Sequence, residues 1–128
     1  KRAVRLHPWI LDENGTGVVF FCSTVGAIQS EFKVSVDLAG DTLMAGNKAN
    51  TFGGAINAYS DVTISVTGKA RFVSNVADEG GGINLELSTL VLNCHAKFEN
   101  NTATSNGGGV HALSSHVLLA GAPRFFEN

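Results

Sequence analysis

The stretch that decides the fold reads FVSNVA at 72–77 and GGGI at 80–83, and it is written again as FENNTA at 98–103 and GGGV at 107–110. The two copies lie about 27 residues apart. A tandem repeat of this length indicates stacked structural units before it indicates any chemistry, because each unit is too small to bury a core alone.

Earlier and later copies of the pattern cover most of the chain. One copy opens with GGAI at 53–56, and a shorter opener, GAI, stands at 26–28. The apolar residues that follow the glycines are separated by steps of 28, 27 and 27 residues, and they are Ile28, Ile56, Ile83 and Val110. The repeats therefore stay in phase over about 100 residues.

Within each copy the apolar residues alternate with polar ones, as in Val62, Ile64 and Val66. This period of two predicts strands with one face inward, and a unit of this size has room for about three short strands. Stacked copies would pair in parallel, and parallel crossovers are almost always right-handed. The sequence predicts an all-β, right-handed parallel β-helix with about 27 residues per coil and roughly four to five coils.

The recurring motif residues are predicted to face inward and hold the stack. The amides should form a hydrogen-bonded ladder, and the aromatic residues should stack, with Met44 replacing phenylalanine in the earliest copy. The ladder amides are Asn47, Asn75, Asn101 and Asn128, and the stacked apolar residues are Met44, Phe72, Phe98 and Phe125.

The repeats divide the chain into two regions. Residues 26–128 are predicted to be tandem coils, while residues 1–25 are an irregular N-terminal segment or a divergent coil, with a strand expected near 17–22. Because the chain starts at Lys1 and stops at the last letter of a motif, we interpret it as a fragment of a longer solenoid. It holds no apolar run long enough to suggest a membrane-spanning helix.

Charge and composition limit the classes of partner and cofactor that the chain is expected to bind. The net charge is −2 and the isoelectric point is near 6.1, which gives no basic footprint for nucleic acid. The four histidines (His7, His95, His111 and His116) lack a supporting acidic cluster, so no metal and no other cofactor is predicted. Asp37 and Asp61 point outward at different places in the repeat, and no carboxylate pair suits catalysis. We expect no enzyme activity.

The chain also contains two cysteines, which could form disulfides, and two sequons, which could carry N-linked glycans. Cys22 and Cys94 are almost three coils apart, about 14 Å along the axis, so they are predicted not to bond to each other. Pairing of either cysteine with residues outside the fragment stays open. Asn14 and Asn100 each begin an Asn-x-Thr sequon, and they are the candidate N-glycosylation sites. Asn100 should point out of the bend where Asn101 points in.

The repeat resembles that of the chlamydial polymorphic outer membrane proteins. Phe-x-x-Asn is intact at 72–75, 98–101 and 125–128, Met44 replaces its phenylalanine once, and Gly-Gly-Ala-Ile is intact only at 53–56. The resemblance covers residues 26–128. It implies the passenger of an autotransporter, a β-helix displayed at the cell surface as an adhesin.

We therefore expect a non-enzymatic extracellular or cell-surface segment, adhesin-like or a display scaffold. Two alternatives remain: a structural subunit of an extracellular filament or coat, with or without attached glycans, and a non-catalytic part of a polysaccharide-active enzyme. The expected partners are a protein or glycan at the cell surface, neighbouring coils of the same longer chain, and further copies in a homo-assembly. Binding is expected in the loops before the glycine clusters: 48–52, 76–79 and 102–106.

Overall fold

Short β-strands wind into a parallel β-helix. The computed structural model describes residues 2–5, 18–21, 28–31, 34–93 and 95–128. Within these ranges there are sixteen strands and no helix, and every pair of neighbouring strands runs parallel. The predicted all-β parallel β-helix is confirmed.

Three sheets form the walls, and a fourth, shorter sheet closes one side. The first wall stacks β1 (Arg2–Arg5), β4 (Val34–Leu38), β7 (Thr63–Val66), β11 (Thr89–Leu92) and β15 (His116–Leu119). The second wall stacks β2 (Val18–Phe21), β5 (Thr42–Ala45), β8 (Ala70–Val73), β12 (Lys97–Glu99) and β16 (Arg124–Phe126). The third wall stacks β3 (Ile28–Glu31), β6 (Ile56–Tyr59), β10 (Ile83–Glu86) and β14 (Val110–Leu113). The fourth sheet pairs β9 (Val76–Glu79) with β13 (Thr102–Asn106).

The strand register follows the sequence repeat. Ile28 pairs with Ile56, Ile56 with Ile83, and Ile83 with Val110. These are the residues that the glycine clusters align in the sequence. The repeat length therefore sets the register, since each coil returns the chain to the same point of the wall one strand spacing further on.

Two details differ from the sequence-based expectation. Residues 28–110 make about three complete turns, with partial turns on either side, so the predicted four to five coils were slightly too many. The segments at 76–79 and 102–106 are strands rather than loops. Their polar sequences suggested loops, but parallel pairing with the neighbouring coil needs only backbone groups.

The core runs along the axis of the solenoid. Residues at alternate positions of each wall point inward and are buried, as Val36, Ile64 and Leu90 are on the first wall. The corresponding residues between them, such as Asp37, face outward. One hydrophobic cluster runs from coil to coil, so the burial that no single repeat could achieve comes from stacking.

Part of the N-terminal region joins the solenoid. Strand β1 pairs with β4 and strand β2 pairs with β5, both in parallel. Cys22, Cys94, His7 and Asn14 lie outside the described residues, so the predictions made for them stay predictions.

Candidate functional site

The motif asparagines form a continuous ladder inside one corner of the solenoid. The Asn75 Oδ1 atom accepts hydrogen bonds from the backbone N–H and the Nδ2 of Asn47, at 3.1 and 2.9 Å. Asn101 accepts in the same way from Asn75, and Asn128 accepts from Asn101. Asn47, Asn75 and Asn101 are buried. Their amides are occupied by the stack and are not accessible to a ligand.

The ladder amides of Asn75, Asn101 and Asn128 also bind the backbone of the previous coil. The Nδ2 atom of Asn75 donates to the carbonyl of Met44 at 2.9 Å. Asn101 donates to Phe72 and Asn128 donates to Phe98 in the same way. The side chain of Asn75 thus satisfies two donors and two acceptors at the bend.

The aromatic residues stack in register beside the ladder. The rings of Phe72 and Phe98 have centroids 4.6 Å apart and lie within 7° of parallel. Phe98 and Phe125 follow at 4.7 Å and 10°. Met44 pairs in register with Phe72 and is fully buried. Met44, Phe72 and Phe98 are fully buried, so they contribute to stability and leave no surface for a partner, whereas Phe125 in the last coil is exposed.

The residue before each ladder asparagine turns the corner with positive φ. Ser74, Asn100 and Glu127 have φ values of 53°, 53° and 49°, and Gly46 has 65°. Non-glycine residues rarely adopt this conformation, although Asn tolerates it. The geometry exposes Asn100 while Asn101 is buried. The sequon asparagine is thus presented to solvent.

A second ladder, built from serine hydroxyls, occupies the corner between the third and first walls. The Ser88 backbone N–H donates to Ser115 Oγ at 3.1 Å, and Ser115 Oγ donates to the carbonyl of Leu113. Ser88 Oγ accepts from the Val62 N–H and donates to the Glu86 carbonyl. Sequence reasoning missed this ladder.

The outward side chains at 76–79 and 102–106 of the fourth sheet form a polar surface together with His111 of strand β14, and we call this surface the polar ridge. Strand β13 shifts register between Ala103 and Asn106, so two residues, Thr104 and Ser105, lie opposite Asp78. Both hydroxyls donate to Asp78 Oδ1, that of Ser105 at 2.9 Å. The hydrogen bonds from Thr104 first, and then from Ser105, lower the pKa of Asp78 below its ordinary value of 3.8.

A histidine-centred network borders the ridge. His111 Nδ1 lies 2.8 Å from Asn84 Oδ1 and 3.4 Å from Glu79 Oε2. Asn84 is buried and donates to Asn57 Oδ1 at 2.9 Å, while Glu79 accepts from Asn106. Because Asn84 donates through its Nδ2, its oxygen is left to accept from His111, so Nδ1 carries the proton. The sequence indicated only a solvated strand histidine here.

Possible metal-ligand residues do not cluster within the described ranges. No group of three or more His, Cys, Asp and Glu residues there is placed to hold a metal ion. Asp37 lies on strand β4, and Asp61 lies in the bend between β6 and β7; both are exposed. On the second wall, Arg71 pairs with Glu99 at 3.1 Å in a largely exposed ion pair, a type that contributes about 0–1 kcal/mol to stability. The hydroxyl, carboxylate and amide groups of the polar ridge are suited to forming hydrogen bonds.

None of the described residues belongs to a helix long and apolar enough to cross a membrane.

Residues 96–113 match the Chlamydia polymorphic membrane protein repeat. The match runs from the end of one coil into the next, and it includes Phe98, Asn101 and the 107–109 glycines. It covers strands β12, β13 and β14, and so part of the polar ridge. Comparison with curated proteins and with solved structures finds no match. The chain thus carries a repeat similar to that of a bacterial membrane-protein family.

Proposed function

We propose that this chain is a non-enzymatic, adhesin-like segment displayed at the cell surface, and that it contacts a protein or glycan through the polar ridge. The observation that supports the proposal most directly is that the repeated residues and the variable residues lie in different environments. In the inner coils the repeated side chains Phe72, Phe98, Asn75 and Asn101 are buried, whereas the residues that vary between coils carry the exposed donors and acceptors.

The matched repeat supports the proposed location. The family in which this repeat occurs is one of membrane proteins of Chlamydia. A β-helix displayed outside the cell holds a rigid lateral surface away from the membrane, which suits attachment. The outer-membrane, autotransporter-like setting and the extracellular exposure are part of the proposal.

The side chains of the polar ridge are preorganised by hydrogen bonds within the ridge. Asp78 is held by two hydroxyls, and Glu79 is held by Asn106 and His111. Side chains fixed in this way lose little conformational entropy when a partner binds, so more of the interaction energy appears as affinity. Amides, carboxylates and hydroxyls in this arrangement can bind the hydroxyl groups of a glycan or the polar backbone of a protein.

The test is attachment of coated beads to cultured epithelial cells, together with binding to a panel of glycans. Asp78→Asn combined with Glu79→Gln should reduce attachment about tenfold, since hydrogen-bonded groups at the centre of an interface carry much of the affinity. Asp37→Asn, on the exposed face of the first wall, is the matched control and should retain attachment. Equal attachment by the ridge variant and the wild-type chain would contradict the proposal.

The non-enzymatic part is tested separately. Incubation of the chain with acidic and neutral polysaccharides should release no new reducing ends and no unsaturated products. Sustained turnover that scales with the protein concentration would overturn this part, and it would favour a polysaccharide-active enzyme.

A further inference from the structure

Basic side chains on the second wall form a row that runs along the axis of the solenoid. The parallel register places Arg71 beside Lys97, and Lys97 beside Arg124. The next residues in β8 and β12, Phe72 and Phe98, are buried, so by alternation the three cations point outward, and all three are exposed. We call this row of three side chains the cation column. Because strands stack about 4.8 Å apart, it carries three positive charges within about 10 Å.

The cation column faces sideways, away from both ends of the solenoid. A further coil stacked on either end would lengthen the wall and leave these outward side chains exposed. Lys69 is exposed as well, and the buried Ala70 separates it from Arg71. It therefore borders the column and adds a fourth cation to the same lateral surface.

The charges are unevenly distributed around the solenoid. Residues 34–128 include five lysines and arginines, and four of these lie on the second wall or at its edge: Lys69, Arg71, Lys97 and Arg124. Five of the eight acidic residues in this range lie elsewhere: Asp37, Asp61, Asp78, Glu79 and Glu86. From Lys69 to Arg124 the second wall carries four cations and one carboxylate, so it is locally basic although the net charge of the chain is −2.

The cations of the column are not neutralised within the described residues. Lys97 has a cation on each side, and like charges directly opposite each other destabilise a sheet. Glu99 pairs only with Arg71, at 3.1 Å, and neither Lys97 nor Arg124 forms an ion pair with a described residue. An anion bound along the column would relieve this repulsion and accept charge-assisted hydrogen bonds, which are about twice as strong as neutral ones.

We propose that the cation column binds a linear sulfated polysaccharide, whose chain runs parallel to the solenoid axis. The charges are complementary, and a guanidinium can donate two parallel hydrogen bonds to one oxyanion, as Arg71 and Arg124 would do at the two ends of the row. Lys97 supplies a point charge between them. This site is separate from the polar ridge, and it takes a chemically distinct, polyanionic ligand.

The shape of the site favours a single polymer chain over a broad anionic surface. A row one residue wide matches one chain, whereas a membrane or a DNA duplex would also approach the carboxylates beside the wall, Asp41 and Glu127. Nucleic-acid affinity rises with the number of phosphates neutralised, and three cations neutralise few. The choice of a glycan also rests on the proposed display at the cell surface.

The probe is fluorescein-labelled heparin, titrated with the full chain and followed by fluorescence anisotropy at low ionic strength. Binding should be saturable and should weaken as salt is added, because the charges are exposed and are screened. Desulfated heparin should bind at least about tenfold more weakly. Failure to saturate below about 1 mM, or equal binding of the desulfated polymer, would overturn the proposal. Equal affinity for duplex DNA or for vesicles of anionic lipid would overturn the assignment to a glycan.

Two variants with the same net charge locate the contact. Lys97→Glu reverses the centre of the column, whereas Lys48→Glu reverses an exposed lysine that pairs with Val76 beside the fourth sheet. Lys97→Glu should weaken heparin binding at least about tenfold, and Lys48→Glu less than about threefold. Both changes are at exposed positions, so circular dichroism should show the wild-type fold for both. Equal losses would overturn the location.

A third variant acts in the opposite direction. Glu99→Gln removes the carboxylate that competes for Arg71, so heparin should bind about threefold more tightly. Unchanged or weaker binding would contradict a contact between the polymer and Arg71.

The heparin site and the attachment surface are tested apart from each other. Asp78→Asn with Glu79→Gln changes the ridge and leaves the cation column intact, so this variant should bind heparin at least as tightly as the wild-type chain does. Loss of cell attachment with heparin binding retained supports two separate sites. Loss of heparin binding in the ridge variant would overturn the assignment to the second wall.

Discussion

Asn100 and Asn101 are neighbours in the chain, but their side chains lie in opposite environments. Asn101 is buried in the ladder, and Asn100 is exposed at a corner with φ of 53°. The phase of the repeat predicts this difference, since only Asn101 aligns with Asn75. The sequence did not indicate that Ser74 and Glu127 share the strained corner with Asn100, because these residue types give no common pattern.

At this scale the ladder makes a direct prediction. Asn75→Ala should lower the free energy of unfolding by about 1–3 kcal/mol, because the N–H and Nδ2 of Asn47 lose their buried acceptor. Asn50→Ala, at an exposed position in the turn that follows Asn47, is the control and should stay within about 0.5 kcal/mol. Urea denaturation measures both, and similar values for the two variants would contradict the ladder.

The aromatic stack makes a larger prediction. Phe98→Ala should destabilise the chain by about 3–5 kcal/mol, because it removes a fully buried ring that packs between two others. The control is Phe126→Ala, since Phe126 is exposed and pairs in register with Glu99. Thermal unfolding should separate the two variants clearly, and a small loss for Phe98→Ala would place its ring outside the core.

At the scale of the element, strands β9 and β13 show where sequence reasoning fails. Their segments lack apolar alternation and end at glycine clusters, so they looked like loops. They pair because the neighbouring coil supplies the backbone partner, which a local pattern does not reveal. The extra residue in β13 then brings Thr104 and Ser105 to one carboxylate, and this juxtaposition depends on register alone.

The hydrogen bonds at Asp78 predict an acid-shifted titration. Asp78 should titrate below 3.8 because both hydroxyls stabilise its carboxylate. Since folding lowers this pKa, the stabilisation is present above the pKa of the unfolded chain, and it is lost as the pH falls through the folded value. Carbon-detected NMR gives the midpoint. Thr104→Val with Ser105→Ala should raise it toward 3.8, and an unchanged midpoint would rule out the hydroxyls as the cause.

The glycine clusters allow the coils to approach closely. A Cβ on Gly81 would lie 2.5 Å from the Thr102 carbonyl oxygen and 2.6 Å from that of Gly108, whereas one on Gly46 would meet nothing within 4 Å. Gly81→Ala should therefore move the backbone and cost more than Gly46→Ala, whose cost is about 1–2 kcal/mol for a residue with positive φ. Chemical denaturation compares the two, and a Gly46→Ala loss equal to or above that of Gly81→Ala would contradict the close approach.

At the scale of the whole molecule, the repeat length was enough to predict the architecture and the inward columns. The serine ladder was not predictable because the corner between β6 and β7 holds three residues, whereas the next two coils have two there. Only Ser88 and Ser115 therefore recur in phase. The sequence singled out the segments of the polar ridge but not their contacts, since His111, Glu79 and Asn84 lie on strands β14, β9 and β10 of two different sheets.

The stack that buries the motif and exposes the ridge is tested most directly by NMR contacts of one side chain. The side-chain amide protons of Asn101 should give nuclear Overhauser effects to Asn75 and to Asn128, 26 and 27 residues away, and should exchange slowly with solvent. The amide of Asn100 should give neither contact and should exchange fast. Fast exchange of Asn101 without these contacts would contradict the inward ladder, and with it the parallel stack of coils.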